Sequence, residues 1–330
     1  MKNVPFLSSR RLGLACVMAA VAAVLPLQAS AQAYPAKPVK VLVGFTAGGA
    51  VDLIARSVGQ AMQAGLGQPI VVEHKPGAGT NIAMKALIDA PPDGYTLMLT
   101  ANSIAANPAL YKPAPFDPEK DVAPVALVGR VPVVIAANAA SPYTSVDQLI
   151  QAAKGKPNTI AYGSPGNGAT PHMAMEFFTR AAGVDLQHIP YTGGSQAITD
   201  AIGGQIPLVA VNALEVLPHV KSGKLRVIAV LSPNRSSIYP DVPTIAESGF
   251  PGFEASVWYG FIAPAATPKA VVERLHAEVE KALQNPEVRA RLANAGGEVL
   301  PGTTEQFAAL IRAERQRYEK LVREANIKPD

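Results

Sequence analysis

Along most of this chain, short apolar runs rich in valine and isoleucine alternate with stretches whose apolar positions recur every three or four residues. Residues 39–45 form the first run, and it ends in Thr46-Ala47-Gly48-Gly49. Val51, Ile54, Ala55, Val58 and Met62 then fall on one face of a helix. Residues 69–73 read as a second strand and Gly77-Ala78-Gly79 as a turn. A helix follows to about residue 90, then Pro91-Pro92-Asp93-Gly94 as turn chemistry, then a strand over 95–100.

The alternation resumes further on. Strands are predicted over 131–136, 159–162, 187–190, 206–211 and 225–231, with helices over 146–153, 171–182 and 196–202. Such alternation implies an α/β fold with a mainly parallel sheet and helices on its faces. The last seventy or so residues read as helices. Thr267-Pro268 looks like an N-cap followed by proline at the first helical position. Val271, Leu275, Val279 and Leu283 then repeat along one face. A second helix starts at Asn285-Pro286 and stops at Gly296-Gly297, and Thr303 with Gln306 fits a capping box for a third.

Composition sharpens this picture. Apolar residues make up 48% of the 330 and charged ones 16%, against about 25% charged in an average globular chain. Disorder is thereby excluded as the default state. The net charge of +4 is unevenly placed, because the first 33 residues hold Lys2, Arg10 and Arg11 and no acid. Without them the chain is almost neutral, which argues against nucleic acid as a partner. These 33 residues read as a cleaved export signal. A basic start precedes an apolar stretch over 12–27, and Ala29-Ser30-Ala31 and Ala31-Gln32-Ala33 are small-x-small cleavage sites. The apolar stretch is shorter than the roughly 20 residues of a membrane span. The mature chain is therefore expected to be exported. The single cysteine, Cys16, lies in this segment. Disulfides and thiolate chemistry are thus excluded from the mature chain.

Catalytic patterns are weak. The five histidines, His74, His172, His188, His219 and His276, form no zinc-protease motif and no close cluster with carboxylates along the sequence. Ser164 sits in Tyr162-Gly163-Ser164-Pro165-Gly166, where Tyr162 breaks a nucleophile elbow. An exported hydrolase using Ser164 or His172 is the weaker alternative. No glycine-rich segment has the spacing of a nucleotide-binding loop. No cofactor and no metal are expected. Three Gly/Ser/Thr-rich loops, at 46–50, 164–170 and 192–195, each precede a helical pattern. Helix N-termini present free N–H groups and partial positive charge, so several around one cleft can hold anions without Lys or Arg. Equally, such loops are ordinary connectors.

Taken in order, the motifs resemble one family, the Bug-type periplasmic solute-binding receptors of tripartite tricarboxylate transporters. They include Tyr34-Pro35-x-Lys37-Pro38, Phe45-x-x-Gly48-Gly49-x-x-Asp52, Leu66-Gly67-Gln68-Pro69 and Pro76-Gly77-Ala78-Gly79. Then come Pro92-Asp93-Gly94-Tyr95-Thr96-Leu97, Asn107-Pro108-Ala109-Leu110-Tyr111, Gly166-x-Gly168 with His172, and Pro190-Tyr191-x-Gly193. Pro240-Asp241-Val242-Pro243-Thr244 with Glu247, and Trp258-Tyr259-Gly260, complete the set. The resemblance covers about residues 34–327.

The resemblance implies a two-lobed periplasmic binding protein of the type II, Venus flytrap, kind, with the ligand cleft between lobes. Residues 34–133 with 257–330 form one lobe and 134–256 the other, and strands near 131–136 and 257–262 form the hinge. The ligand is a small carboxylate, delivered to permease subunits that bind transiently, and the receptor is a monomer and not an enzyme. A sensory receptor for a membrane kinase is the alternative use of the same cleft. By matching position, the binding residues are Phe45, Thr46, Ala47, Gly48, Gly49 and Asp52 in the first loop. Ser103 follows the third strand. Ser164, Gly166, Asn167, Gly168 and Thr170 lie in the second loop, and Tyr191, Thr192, Gly193 and Gly194 in the third. Val211 and Asn212 close the set. For Asp52 a plain helix-dipole role competes. Trp258 is expected in the core.

This chain departs from the family in the first loop, where Gly44 and Ala47 replace common prolines, and in Thr192, which replaces a common lysine. Val211 stands where many members carry aspartate. An acid there meets an amino-acid ligand's ammonium, so its absence points away from amino acids.

Overall fold

The computed structural model describes residues 34–294, 296–325 and 327; the expected signal at 1–33 lies outside them. The described residues from Lys37 onward form one compact unit. In chain order, its first elements are β1 (Val39–Val43), α1 (Ala50–Leu66), β2 (Ile70–His74), α2 (Asn81–Ile88), β3 (Thr96–Thr100) and α3 (Ser103–Leu110). Next come β4 (Val122–Asn138), α4 (Val146–Ala153), β5 (Ala161–Ser164), α5 (Thr170–Ala182), β6 (Gln187–Pro190) and α6 (Gly194–Ile202). Then follow β7 (Leu208–Asn212), α7 (Ala213–Lys221), β8 (Leu225–Val230) and β9 (Ser256–Pro264). The chain closes with α8 (Lys269–Gln284), α9 (Pro286–Asn294), β10 (Glu298–Val299) and α10 (Thr304–Ala325).

The strands pair in the order β2-β1-β3-β9-β4-β7-β5-β6, with β8 and β10 also on β4. The neighbours β1–β2, β1–β3, β5–β6 and β5–β7 are parallel. Every pairing of β4 and β9 is antiparallel. The fold is therefore α/β, but mixed instead of mainly parallel. The difference comes from two long strands, β4 and β9, that each run antiparallel to every strand they pair with. β4 pairs β9 over residues 122–132 and then β7 and β8 from Val133 onward. One strand thus serves two groups of strands.

Each group has its own apolar core. One gathers Leu42, Leu87, Met98, Ile262, Phe307 and Ile311, with Trp258 packed edge-on against Phe307 at 5.5 Å between ring centroids. The other gathers Val134, Ile198, Val209, Val211, Val216 and Val230. Burial of each such side chain contributes about 1.5–3 kcal/mol against leaving it in water. Trp258 is a core residue, as expected.

The C-terminal helices follow the sequence with one shift. Thr303 and Gln306 form a reciprocal capping box, with Gln306 N–H on Thr303 Oγ1 at 3.2 Å and Thr303 N–H on Gln306 Oε1 at 2.9 Å. At α8 the cap position falls on Pro268, and the Thr267 hydroxyl donates back to the Pro264 carbonyl at 2.7 Å. Thr267 closes the preceding turn and does not cap the helix.

Candidate functional site

In open α/β sheets the chain leaves each parallel strand at its carboxyl end and enters a helix, so those ends gather helix N-termini. Here five such junctions surround one cleft. The β1–α1 loop contributes Phe45, Thr46 and Gly49, and the β3–α3 junction contributes Ala101 and Ser103. Pro165, Ala169 and Thr170 come from β5–α5, Gly193 and Gly194 from β6–α6, and Asn212 and Glu215 from β7–α7. Val257 and Tyr259 of β9 complete the wall. The space is about 440 Å³, its mouth included. Among the described residues no Lys, Arg or His lines it, and its one carboxylate is Glu215.

The walls touch across the cleft at glycines. A Cβ on Gly193 would lie 2.1 Å from Thr46 Oγ1, so the first and third loops meet there only because Gly193 has no side chain. A Cβ on Gly194 would lie 1.8 Å from Glu215 Oε2. Gly44, where the family resemblance suggested proline, is packed against Thr80.

Among the described residues, four polar atoms in this cleft are closed off from solvent yet hold no hydrogen bond. They are Thr170 Oγ1, Asn212 Oδ1, Glu215 Oε2 and the Tyr259 hydroxyl. Thr170 is 4% exposed, Asn212 5% and Tyr259 0%. Leaving such a group unpaired costs about 1–3 kcal/mol. Their concentration in one cleft marks it as built for a polar guest. Glu215 Oε1, in contrast, is satisfied. It accepts from Asn212 Nδ2 at 2.7 Å and from the Ala50 N–H at 3.3 Å, which ties α7 to the start of α1. Burial raises the Glu215 pKa above 4.5, and the bonds from Asn212 and Ala50 offset this only in part. The Tyr259 hydroxyl lies beside Asn212 and Glu215; burial, then Glu215, push its pKa up, and the Asn212 side chain offsets this in part.

Of the residues named from the sequence, Phe45, Thr46, Gly49, Ser103, Thr170, Gly193, Gly194 and Asn212 line this cleft. Gly166, Asn167, Tyr191 and Thr192 line an adjoining hollow with Gly79, Thr80 and Tyr111. Ala47 and Gly48 sit at the exposed tip of the first loop. Asp52 turns back to that loop, accepting from Gly48 N–H at 3.1 Å, Arg56 Nε at 2.7 Å and His74 Nε2 at 2.9 Å. Burial alone would raise its pKa, but the Gly48, Arg56 and His74 interactions outweigh that and lower it. Ser164 lies beneath the second loop, hydrogen-bonded to His188 at 2.7 Å and to the Gly166 N–H at 3.1 Å. Gly168 packs against Asn107, and its N–H donates to His172 Nδ1 at 3.2 Å. Val211 belongs to the core.

The sequence alone does not point to Glu215, Tyr259, Ala101 or Val257 as lining residues. The strand predicted over 206–211 is present, but the helix that follows it, α7, carries no clear pattern. Glu215 has one faint signal, its place three residues after Asn212. That spacing by itself reads as an acid favoured by a helix dipole.

A cleft ringed by strand ends from two groups of strands defines a solute-binding protein of the two-lobed periplasmic type. The chain belongs to the receptors of the tripartite tricarboxylate transporters: the family model described as "Tripartite tricarboxylate transporter family receptor" matches residues 54–327. It is similar to the periplasmic binding protein BugD, with 34% identity, a TM-score of 0.85 and coverage of 90% of this chain and 100% of that one. It is similar to the R. palustris protein Rpa4515 with adipate at 32% identity and a TM-score of 0.85, covering 90% and 100%. MatC from Rhodopseudomonas palustris with bound malate is 30% identical, with a TM-score of 0.83 and coverage of 88% and 100%. The family is one of receptors and BugD is a binding protein; the chain is a receptor, not an enzyme. No helix among the described residues is long and apolar enough to cross a membrane, and none of their His, Asp and Glu side chains gather to hold a metal ion.

Proposed function

We propose that this chain is an exported receptor that closes two lobes on a small carboxylate solute and hands it to a membrane permease of the tripartite tricarboxylate type. Residues 34–133 with 257–330 are one lobe and 134–256 the other, hinged where β4 and β9 pass between them. The carrying observation is the convergence of the α1, α5, α6 and α7 N-termini on a cleft that holds unpartnered polar atoms and no basic side chain. Helix N-termini bind anions through amide N–H groups and partial positive charge. That two structural neighbours carry adipate and malate supports a carboxylate as the guest. A micromolar solute requires about 8 kcal/mol, within reach of a few oriented hydrogen bonds and a desolvated cleft. Solute binding shifts the lobes toward closure only by its preference for the closed state.

A thermal-shift screen of carboxylic acids tests this. At a hundred times its dissociation constant a true ligand adds about 2.7 kcal/mol of stability. A raised melting point, with the acid recovered unchanged, is the expected result. A blank across mono-, di- and tricarboxylates overturns it. Delivery is tested separately: deleting the gene is expected to abolish uptake of the acid that binds.

A further inference from the structure

We propose that Glu215 is the counter-ion for a protonated nitrogen on the solute, so that the cleft selects a carboxylate bearing an ammonium over a dicarboxylate of the same length. This rests on the carboxylate reading above and names the solute class within it.

The argument is one of donors and acceptors. Asn212 spends its amide N–H on Glu215 Oε1 at 2.7 Å, which fixes the amide's orientation and leaves Asn212 Oδ1 as a bare acceptor. Glu215 Oε2 is a second bare acceptor on the adjoining residue. Neither is reached by water, and the cleft lining offers no Lys, Arg or His to satisfy them. A dicarboxylate brings only acceptors. It would leave both atoms unpaired and set like charges together in a closed space, where repulsion is strongest. An ammonium brings three N–H donors. Two of them match Glu215 Oε2 and Asn212 Oδ1, and the third suits the Tyr259 hydroxyl.

Position agrees with chemistry. The Glu215 carboxylate is held between the first and third loops, against Gly49 and Ala50 on one side and Gly194 on the other. It already occupies the α1 N-terminus. The solute carboxylate is left the α5 end of the cleft, where Ser103 and Thr170 present hydroxyls. Burial opposes an unpaired Glu215 anion, and a neighbouring ammonium relieves that opposition. Val211 by itself points away from amino acids. Val211, however, lies in the core, and the acid that lines the cleft is Glu215 of α7.

Matched pairs test this by calorimetry on the purified protein: 3-aminopropanoate against succinate, 4-aminobutanoate against glutarate, and 4-(aminomethyl)benzoate against terephthalate. In the pair that fits the cleft, the ammonium member is expected to bind at least about ten-fold tighter. Glu215→Gln, whose amide oxygen keeps the Asn212 and Ala50 bonds, should lose that preference while melting cooperatively. Preference for the dicarboxylate in every pair that binds overturns the inference but leaves the carboxylate reading standing. So does an ammonium preference that survives Glu215→Gln. Binding by no member overturns both.

Discussion

The Ser164 hydroxyl lies 2.7 Å from Nε2 of His188, a separation that on an exposed surface would suggest a nucleophile and its base. Here it does not. Ser164 is fully buried, also receives the Gly166 N–H at 3.1 Å, and is absent from the cleft lining. The pair pins the second loop to β5 and β6. Ser164→Ala would remove the hydrogen bonds to His188 and to the Gly166 N–H. The expected loss is about 1–3 kcal/mol of stability, with weaker solute binding because the loop loosens. Chemical denaturation checks the first and calorimetry the second; unchanged stability would refute the pinning role.

His172 stacks on His188 with ring centroids 4.0 Å apart and an interplanar angle of 11°. Its Nδ1 accepts the Gly168 N–H, and its Nε2 faces Glu176 Oε1 at 3.7 Å. Burial, and secondarily His188, hold its pKa well below 6.5. A histidine depressed in the folded state adds stability above its unfolded pKa, and that contribution is lost as pH falls through the folded value. Glu176 works the other way, because burial raises its pKa above 4.5 and its contribution fades as pH rises. Between pH 7.5 and 5.5 the melting point of the wild type should therefore fall more than that of His172→Gln. Parallel curves would show that His172 does not govern the acid limb.

Gly193→Ala separates binding from folding. The backbone there is extended, with φ 175°, so alanine is conformationally permitted. The added Cβ meets Thr46 Oγ1 at 2.1 Å, across the cleft. Closure should suffer while each group of strands keeps its own core. Affinity is expected to drop at least about ten-fold, roughly 1.4 kcal/mol, with little change in melting point. Thr46→Ala in the same chain removes the obstructing oxygen and should restore much of the affinity. No rescue would place the cost elsewhere.

What can be read from the sequence follows from physical scale. Hydrophobic period and turn residues are local signals, so β1, β3, α1 and the capping box of α10 are legible. Of β4 only 131–136 shows, although the strand runs to seventeen residues. Pro124, Gly129 and Pro132 interrupt its pattern, and the register shifts around the first two are the structural counterpart. Two helices are hidden for a similar reason: Pro108 lies inside α3 and Pro218 inside α7, and proline ordinarily breaks a helix. Three of the loops around the cleft carry their glycines openly. What fills it does not show. Glu215 and Ala50 are 165 positions apart, and nothing local in Asn-Ala-Leu-Glu says that its carboxylate crosses to another helix.

That carboxylate also sets a pH dependence independent of any solute. Burial raises the Glu215 pKa above 4.5, against the smaller opposing effects of Asn212 and the Ala50 N–H, and the Tyr259 hydroxyl also faces it. A carboxyl group raised in the folded state contributes stability that is fully present below its unfolded pKa. The contribution is lost as pH rises through the folded value, because folding must then hold an anion with one oxygen unpaired. Glu215→Gln keeps the shape and cannot ionise. The variant should therefore gain on the wild type as pH rises from 5 to 8. Denaturant titrations of both proteins at the two pH values measure it. An equal difference at both would mean that Glu215 stays ionised in the folded protein throughout, and that its burial does not raise its proton affinity.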